Sequence, residues 1–187
     1  MRGQFKTTYI ALDSELQRIQ FMESWLRASG IEEWSRVPGI IVDELDCERL
    51  YDSRKRISRF GYPLSRSEVG CFLAHRQCWQ IAVDLNREVL VLESDVKLCV
   101  PEKFAGLVSE LQAVRSSWDL VRFHGIFEKN EIMNRMIKQF ENDFGLMQSL
   151  GDPMGGGAYV VSPHGAAKLL RASEPFYQPV DVFLASH

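Results

Sequence analysis

Two carboxylates, Glu93 and Asp95, sit one residue apart in the stretch REVLVLESDV, directly behind an apolar run at residues 89–92. In an extended chain residues i and i+2 point to the same side, so the two acids can face one ligand together. Paired hard oxygen donors suit magnesium or manganese, ions that keep several waters and bind substrate phosphates at the same time. A metal-bridged diphosphate is the ligand such a pair suggests. The other reading is that the acids only solvate the start of a loop, and this stretch taken alone leaves both open.

The elements around the acids decide where they stand. An unbroken apolar run suits a strand covered on both faces, as in a parallel sheet. In open α/β sheets ligands collect beyond the carboxyl ends of the strands, where Glu93-Ser94-Asp95 falls. The flanking sequence repeats a strand and helix order. Residues 7–12 read as a strand, and Ser14 and Gln17 have capping-box spacing for a helix with Leu16, Ile19, Met22 and Leu26 on one face, ending at Gly30. Residues 33–37 form a short strand pattern closed by Pro38-Gly39. Residues 43–64 are polar and basic and read as a loop.

Ser65-Arg66-Ser67-Glu68 is a second capping box, opening a helix to about residue 83 in which Phe72, His75, Trp79 and Ala82 share a face. After the apolar strand, Pro101 starts a helix with Phe104, Leu107, Leu111 and Val114 inward, and residues 118–123 form the next strand. Residues 126–145 are charged and weakly periodic, which fits an insertion or an outer helix. Residues 158–162 read as a strand, and Ser162-Pro163 supplies an N-cap and a first-turn proline for a last helix to about residue 172. The expected architecture is one α/β domain over residues 1–187, with a mostly parallel central sheet flanked by helices.

Composition narrows the partners. The 187 residues carry 22 basic and 25 acidic side chains, a formal charge of -3, with no polybasic tract that would propose nucleic acid. No apolar run has the length of a signal peptide or a membrane span, so a cytoplasmic protein is the expectation, with peripheral membrane contact left open. Cys47, Cys71, Cys78 and Cys99 lack metal-type spacing, and Cys71 and Cys78 would stand about 10 Å apart on one helix, too far to bridge.

LESDV behind an apolar strand resembles the LEDDV motif of glycosyltransferase family 25. SEVGCFLAHRQCWQ resembles the GE-(I/V)-GC-x-x-SH-x-x-x-W segment of that family, matching at Glu68, Gly70, Cys71, His75 and Trp79. WDLVRFHG, GGGAYVVSPHGAAKLL and PVD resemble three further segments of the family in the same order. The resemblance implies a GT-A-like fold that binds a nucleotide sugar, with the acidic motif holding a divalent metal, manganese ahead of magnesium, against the donor diphosphate. It implies transfer of a hexose, galactose first, from a UDP-sugar to a lipooligosaccharide or other cell-surface saccharide, with inversion. On that pattern Asp95 is the direct metal ligand and Glu93 assists it or contacts the donor ribose. Asp13, Arg18, Gly156 and Gly157 fall at donor-binding positions, and Asp181 of PVD is nominated as the base.

The chain departs from the family pattern in places. Ala11 and Ser14 replace the asparagine and first arginine of N-L-D-R-x-x-x-R, Ser94 replaces the middle acid of EDD, and the chain stops soon after PVD where relatives continue. A missing C-terminal extension is one expectation. A second functional reading follows from the same departures: a glycosyltransferase-like domain with weakened catalysis that binds or scaffolds.

Several residues have structural readings beside the functional ones. His75, between Phe72 and Trp79, reads as a satisfied core histidine rather than a base. Glu68 has a role in the cap. Gly155-Gly156-Gly157 either lets backbone amides approach a donor sugar or serves as a plain connection, and Asp152 is an alternative acid beside it. The cluster Arg54-Lys55-Arg56 with Arg59 reads as a solvated loop, or as a contact for phosphates on an acceptor. His124 and His164 have no assigned role.

Overall fold

The computed structural model describes residues 5–97, 99–123, 134–141, 143–149, 151 and 154–186. In chain order the elements are β1 (Lys6–Ala11), α1 (Leu16–Ala28), β2 (Trp34–Pro38), α2 (Glu44–Cys47), α3 (Ser53–Phe60), α4 (Arg66–Leu85), β3 (Val89–Glu93), α5 (Pro101–Ala113), β4 (Leu120–Arg122), β5 (Asn134–Gln139), β6 (Gly145–Ser149), β7 (Ala158–Val161), α6 (Pro163–Ala172) and α7 (Val180–Ala185). Five strands form the central sheet in the order β2-β1-β3-β7-β4, while β5 and β6 make a separate hairpin. β2, β1 and β3 run parallel, and β7 runs against both β3 and β4. The sheet is mostly parallel, as expected, with one reversed strand.

The alternation of side chains divides the core into two layers. Val89, Val91, Tyr159 and Val161 face a layer that holds Phe72, Cys78 and Trp79 of α4 and Phe183 of α7. Leu90, Leu92 and Val160 face the opposite layer, with Met22 and Leu26 of α1 and Phe104, Val108 and Leu111 of α5. The four apolar residues of β3 ahead of Glu93 are all buried, each worth roughly 1.5–3 kcal/mol of hydrophobic stabilisation. This covering on both faces is what the unbroken apolar run requires.

The capping box of α4 forms as expected. Ser65 Oγ accepts from the Glu68 N–H at 3.2 Å, and the Glu68 carboxylate accepts from the Ser65 N–H at 2.7 Å. Ser162 likewise caps α6, accepting from the Gly165 N–H at 3.0 Å. A Cβ on Gly70 would run into the carbonyl oxygen of Ile40, so glycine there lets the first turns of α4 lie against the chain that follows β2.

Other expectations are corrected. The Ser14/Gln17 capping box does not form, because Glu15 folds back to accept the Leu12 N–H at 3.0 Å and α1 begins only at Leu16. Leu16 consequently points to solvent, 66% exposed, instead of joining Met22 and Leu26. The stretch 43–64 is not a plain loop. It holds α2 and α3, and α3 is capped by Asp52, which accepts the Lys55 N–H at 2.9 Å, and closed by Gly61 in the left-handed region at φ 81°. Arg56 is buried, its guanidinium 4.3 and 4.6 Å from the ring centroids of Phe60 and Tyr62, so the basic cluster is only partly solvated. Lys55 and Arg59 lie over the ring of Tyr177. Within 126–145 the described residues form strand β5 and the start of β6 rather than an outer helix, and α6 is followed by a further helix, α7.

Candidate functional site

Strand parity carries Glu93 toward α4. Val89 and Val91 face that layer, and residue 93 follows in the same phase. The Glu93 Oε1 lies 3.3 Å from Nε2 of His75, and its backbone N–H donates to the Gly157 carbonyl at 2.8 Å. His75 is fully buried. Its Nδ1 is 2.8 Å from the Tyr159 hydroxyl, which also accepts from Nε1 of Trp79 at 2.7 Å. His75 is therefore a satisfied core histidine, and its partners are side chains of β7 and β3.

The extended geometry stops at Glu93. Ser94 and Asp95 form a turn in which the Val96 N–H donates to the Glu93 carbonyl at 3.3 Å, so the i, i+2 argument does not reach Asp95. Ser94 turns inward, 6% exposed, while Asp95 faces solvent.

Cys71, one helical turn before His75, registers where the acids stand. Burial pushes its thiol up to about 12, and the charges of Glu93, Asp181 and Asp95 push in the same direction. Three carboxylates from β3, the turn after it and α7 thus act on one thiol. Asp181, in the first turn of α7, accepts the Val182 N–H through Oδ1 at 2.9 Å. Gly156 lies against the same turn, where a Cβ would stand 3.9 Å from the Asp181 Cα. Gly155 occupies φ 121°, a conformation open to glycine. Gly157 is thus bonded to Glu93 at the carboxyl end of β3, Asp95 stands in the turn that follows, and Gly156 packs against the first turn of α7, which carries Asp181.

Asp13 and Arg18 have other engagements. Asp13 follows the end of β1, next to β3 in the sheet, and its carboxylate pairs with Arg36 at 2.6 Å. Arg18 pairs with Glu15 at 3.0 Å on α1. His164 meets Asp119 at 3.0 Å, together with Lys168 at 2.7 Å. Asp152 and His124 lie outside the described residues.

Arg122 was not singled out by sequence reasoning. It ends β4 opposite Tyr159, half-buried, where desolvation lowers its pKa while Tyr159 and Asp181 favour its charged form. The available signal was an arginine at the carboxyl end of the strand in WDLVRFHG. Beside it opens a cleft of about 760 Å³, lined by Asp119, Arg122, Asn134, Met147, Lys168 and Leu184 among others. Glu93, Asp95 and Asp181 are not among the residues that line it.

Among the described residues one group of three side chains brings metal-ligand atoms together. Cys71, His75 and Glu93 present ligand atoms within 4.8 Å of one another. Both ring nitrogens of His75 have hydrogen-bond partners, Tyr159 and Glu93. Asp95 and Asp181 do not join this group, although carboxylate oxygens are the donor chemistry of magnesium and manganese.

An α/β domain with a mostly parallel central sheet flanked by helices, with Glu93 at the carboxyl end of a central strand, is a GT-A-like fold. Residues 5–184 match the family model described as glycosyltransferase family 25 (LPS biosynthesis protein), and the chain belongs to that family. It is similar to procollagen galactosyltransferase 1 of Danio rerio, 36% identical over 135 residues, 66% of this chain and 20% of that protein. It is also similar to a glycosyltransferase 25 family member of Drosophila pseudoobscura pseudoobscura, 29% identical over 185 residues, 94% of this chain and 28% of that protein. A third relative, 34% identical over 131 residues, is the probable inactive glycosyltransferase 25 family member 3 of Bos taurus, with 66% of this chain and 21% of that protein covered. The chain spans between a fifth and under a third of the length of these relatives.

Proposed function

We propose that this domain is a metal-dependent hexosyltransferase that moves galactose from a UDP-sugar to a saccharide acceptor with inversion. The observation that carries the reading is Glu93 at the carboxyl end of β3, bonded to Gly157, with Asp95 in the turn that follows it and Asp181 on the helical turn that packs against Gly156. Asp95, exposed and free of the strand, is the direct metal ligand, and Glu93 assists from the strand end. A bound divalent ion supplies positive charge against the leaving diphosphate. Arg122 adds a cation on β4, two strands from β3 across β7, and the glycines let backbone approach the donor. Asp181 takes the proton from the acceptor hydroxyl.

The family's description points to a lipopolysaccharide-type acceptor and the names of the relatives to procollagen. We retain a lipooligosaccharide or related cell-surface saccharide as the acceptor, and the cytoplasmic location stands or falls with it. The second reading, a binding or scaffolding domain with weakened catalysis, is favoured by Ala11, Ser14 and Ser94 and by the likeness to a probable inactive relative.

Calorimetric titration of UDP-galactose and UDP-glucose with and without manganese, alongside UDP release in the presence of each acceptor class, separates the two. Metal-dependent binding with turnover supports transfer, and binding without turnover supports the second reading. Absence of binding at every metal concentration, with Asp95→Ala indistinguishable from the parent, ends the metal-site reading.

A further inference from the structure

We propose that Trp79, Tyr159 and His75 form a buried positioning relay that holds His75 as its Nε2–H tautomer and so aims the Glu93 carboxylate at the ligand edge. The proposal rests on the reading of that edge as the donor site.

The proton positions follow from what each group can do. An indole N–H only donates, so the Tyr159 oxygen accepts from Trp79 across their 2.7 Å contact. Among the described residues the remaining partner for the Tyr159 hydroxyl proton is Nδ1 of His75, at 2.8 Å. Nδ1 is then an acceptor, and the neutral ring carries its hydrogen on Nε2, where the next group is the Glu93 Oε1 at 3.3 Å. The opposite tautomer would strand the tyrosine proton and set the Nε2 lone pair against a carboxylate.

Solvent cannot relieve that mismatch, because Trp79, Tyr159 and His75 are each 0% exposed. Nor are the rings free to turn. His75 stacks on Tyr159 with centroids 5.7 Å apart, and Trp79 is held between Phe72 at 5.7 Å and Phe183 at 5.9 Å. The direction of one N–H bond is thus set by packing on α4, β7 and α7, and that bond meets the carboxylate that closes β3. Partners behind a ligand commonly govern how well the ligand works.

Two substitutions divide the ring between its two bonds. His75→Gln can place an amide N–H near the Nε2 position and keep the bond to Glu93 while losing the partner of Tyr159. His75→Asn can keep an acceptor for Tyr159 while losing Glu93. Calorimetry of manganese with UDP on the full chain is expected to rank Gln above Asn by about tenfold in affinity, whatever the order of their melting temperatures. Equal affinities, or tighter binding by Asn, would show that His75 serves only the core and would overturn the relay. ¹⁵N-histidine NMR of the unliganded parent at neutral pH is expected to show the Nε2–H pattern at His75, and an Nδ1–H pattern overturns the proposal. Should the parent bind no manganese and UDP at all, the donor-site reading fails, and the spectrum alone decides the tautomer.

Discussion

Trp79 and Tyr159, 80 residues apart in the chain, share a hydrogen bond of 2.7 Å in the interior, joining α4 to β7. Burial also pushes the Tyr159 hydroxyl well above its ordinary pKa, so it remains a proton donor at every physiological pH. The bond places both residues at once in the packing and behind the site.

Removing that hydroxyl tests its structural share. Tyr159→Phe leaves Nε1 of Trp79 and Nδ1 of His75 facing each other without the oxygen between them. Loss of a buried partner of this kind costs about 1–3 kcal/mol, read as a lower urea midpoint at unchanged slope. An unaltered midpoint would mean that water or a shifted side chain replaces the hydroxyl.

Gly70→Ala tests the close approach of α4 to the chain after β2. The added Cβ meets the Ile40 carbonyl oxygen, a backbone atom that cannot rotate away. A helix-interior alanine would otherwise be favourable, so the sign of the change is informative. Destabilisation of about 1–3 kcal/mol is expected from overpacking, measured by thermal or urea unfolding, and a stabilised variant would contradict the contact.

Ser94 and Asp95 make a contrasting pair. Because Ser94 is turned inward and Asp95 outward, Ser94→Ala is expected to leave manganese and UDP affinity within about twofold, whereas Asp95→Ala lowers it by more than about tenfold. Comparable losses in both would place the Ser94 hydroxyl at the ligand after all.

Asp119 supplies a pH signature. The hydrogen bond from Lys168 and then that from His164 hold its carboxyl below the ordinary value of 3.8. A carboxyl with a lower pKa in the folded chain binds fewer protons there than in the unfolded chain. Its stabilisation is therefore present above about pH 4 and is lost as the pH falls through the folded-state value. The group is 40% exposed, so the contribution is below about 1 kcal/mol. Melting temperatures of the parent and of Asp119→Asn are expected to differ at pH 7 and converge toward pH 3. A gap that does not change with pH would assign the effect to something other than charge.

Much of the sheet, and the strand that carries Glu93 at its end, were legible in advance. The apolar run 89–92 identified a doubly covered strand, and its parity with residue 93 brings Glu93 onto the α4 side, where His75 waits. What periodicity does not carry is direction, so the reversal of β7 could not be read from Ala158–Val161. α3 escaped notice because the residue it buries is Arg56, held by aromatic rings, and a charged residue leaves no apolar stripe. The hairpin of β5 and β6 was hidden for a similar reason. β5 has no buried residue, and β6 buries Leu146 among exposed neighbours. Asp95 was placed correctly at the strand end, but the turn that separates its direction from that of Glu93 rests on the Val96 backbone bond, which side-chain spacing does not encode.

The reversed strand has a consequence for how this domain can vary. β4 ends at Arg122 and β7 starts at Ala158 beside it, on the same edge where Glu93 emerges, so the chain leaves the sheet and rejoins it at one edge. That junction works as a socket. Sequence spliced into it can be lengthened, shortened or exchanged while every strand keeps its register. A domain wired in this way can change what it carries at one position, with the rest of the sheet left as it is.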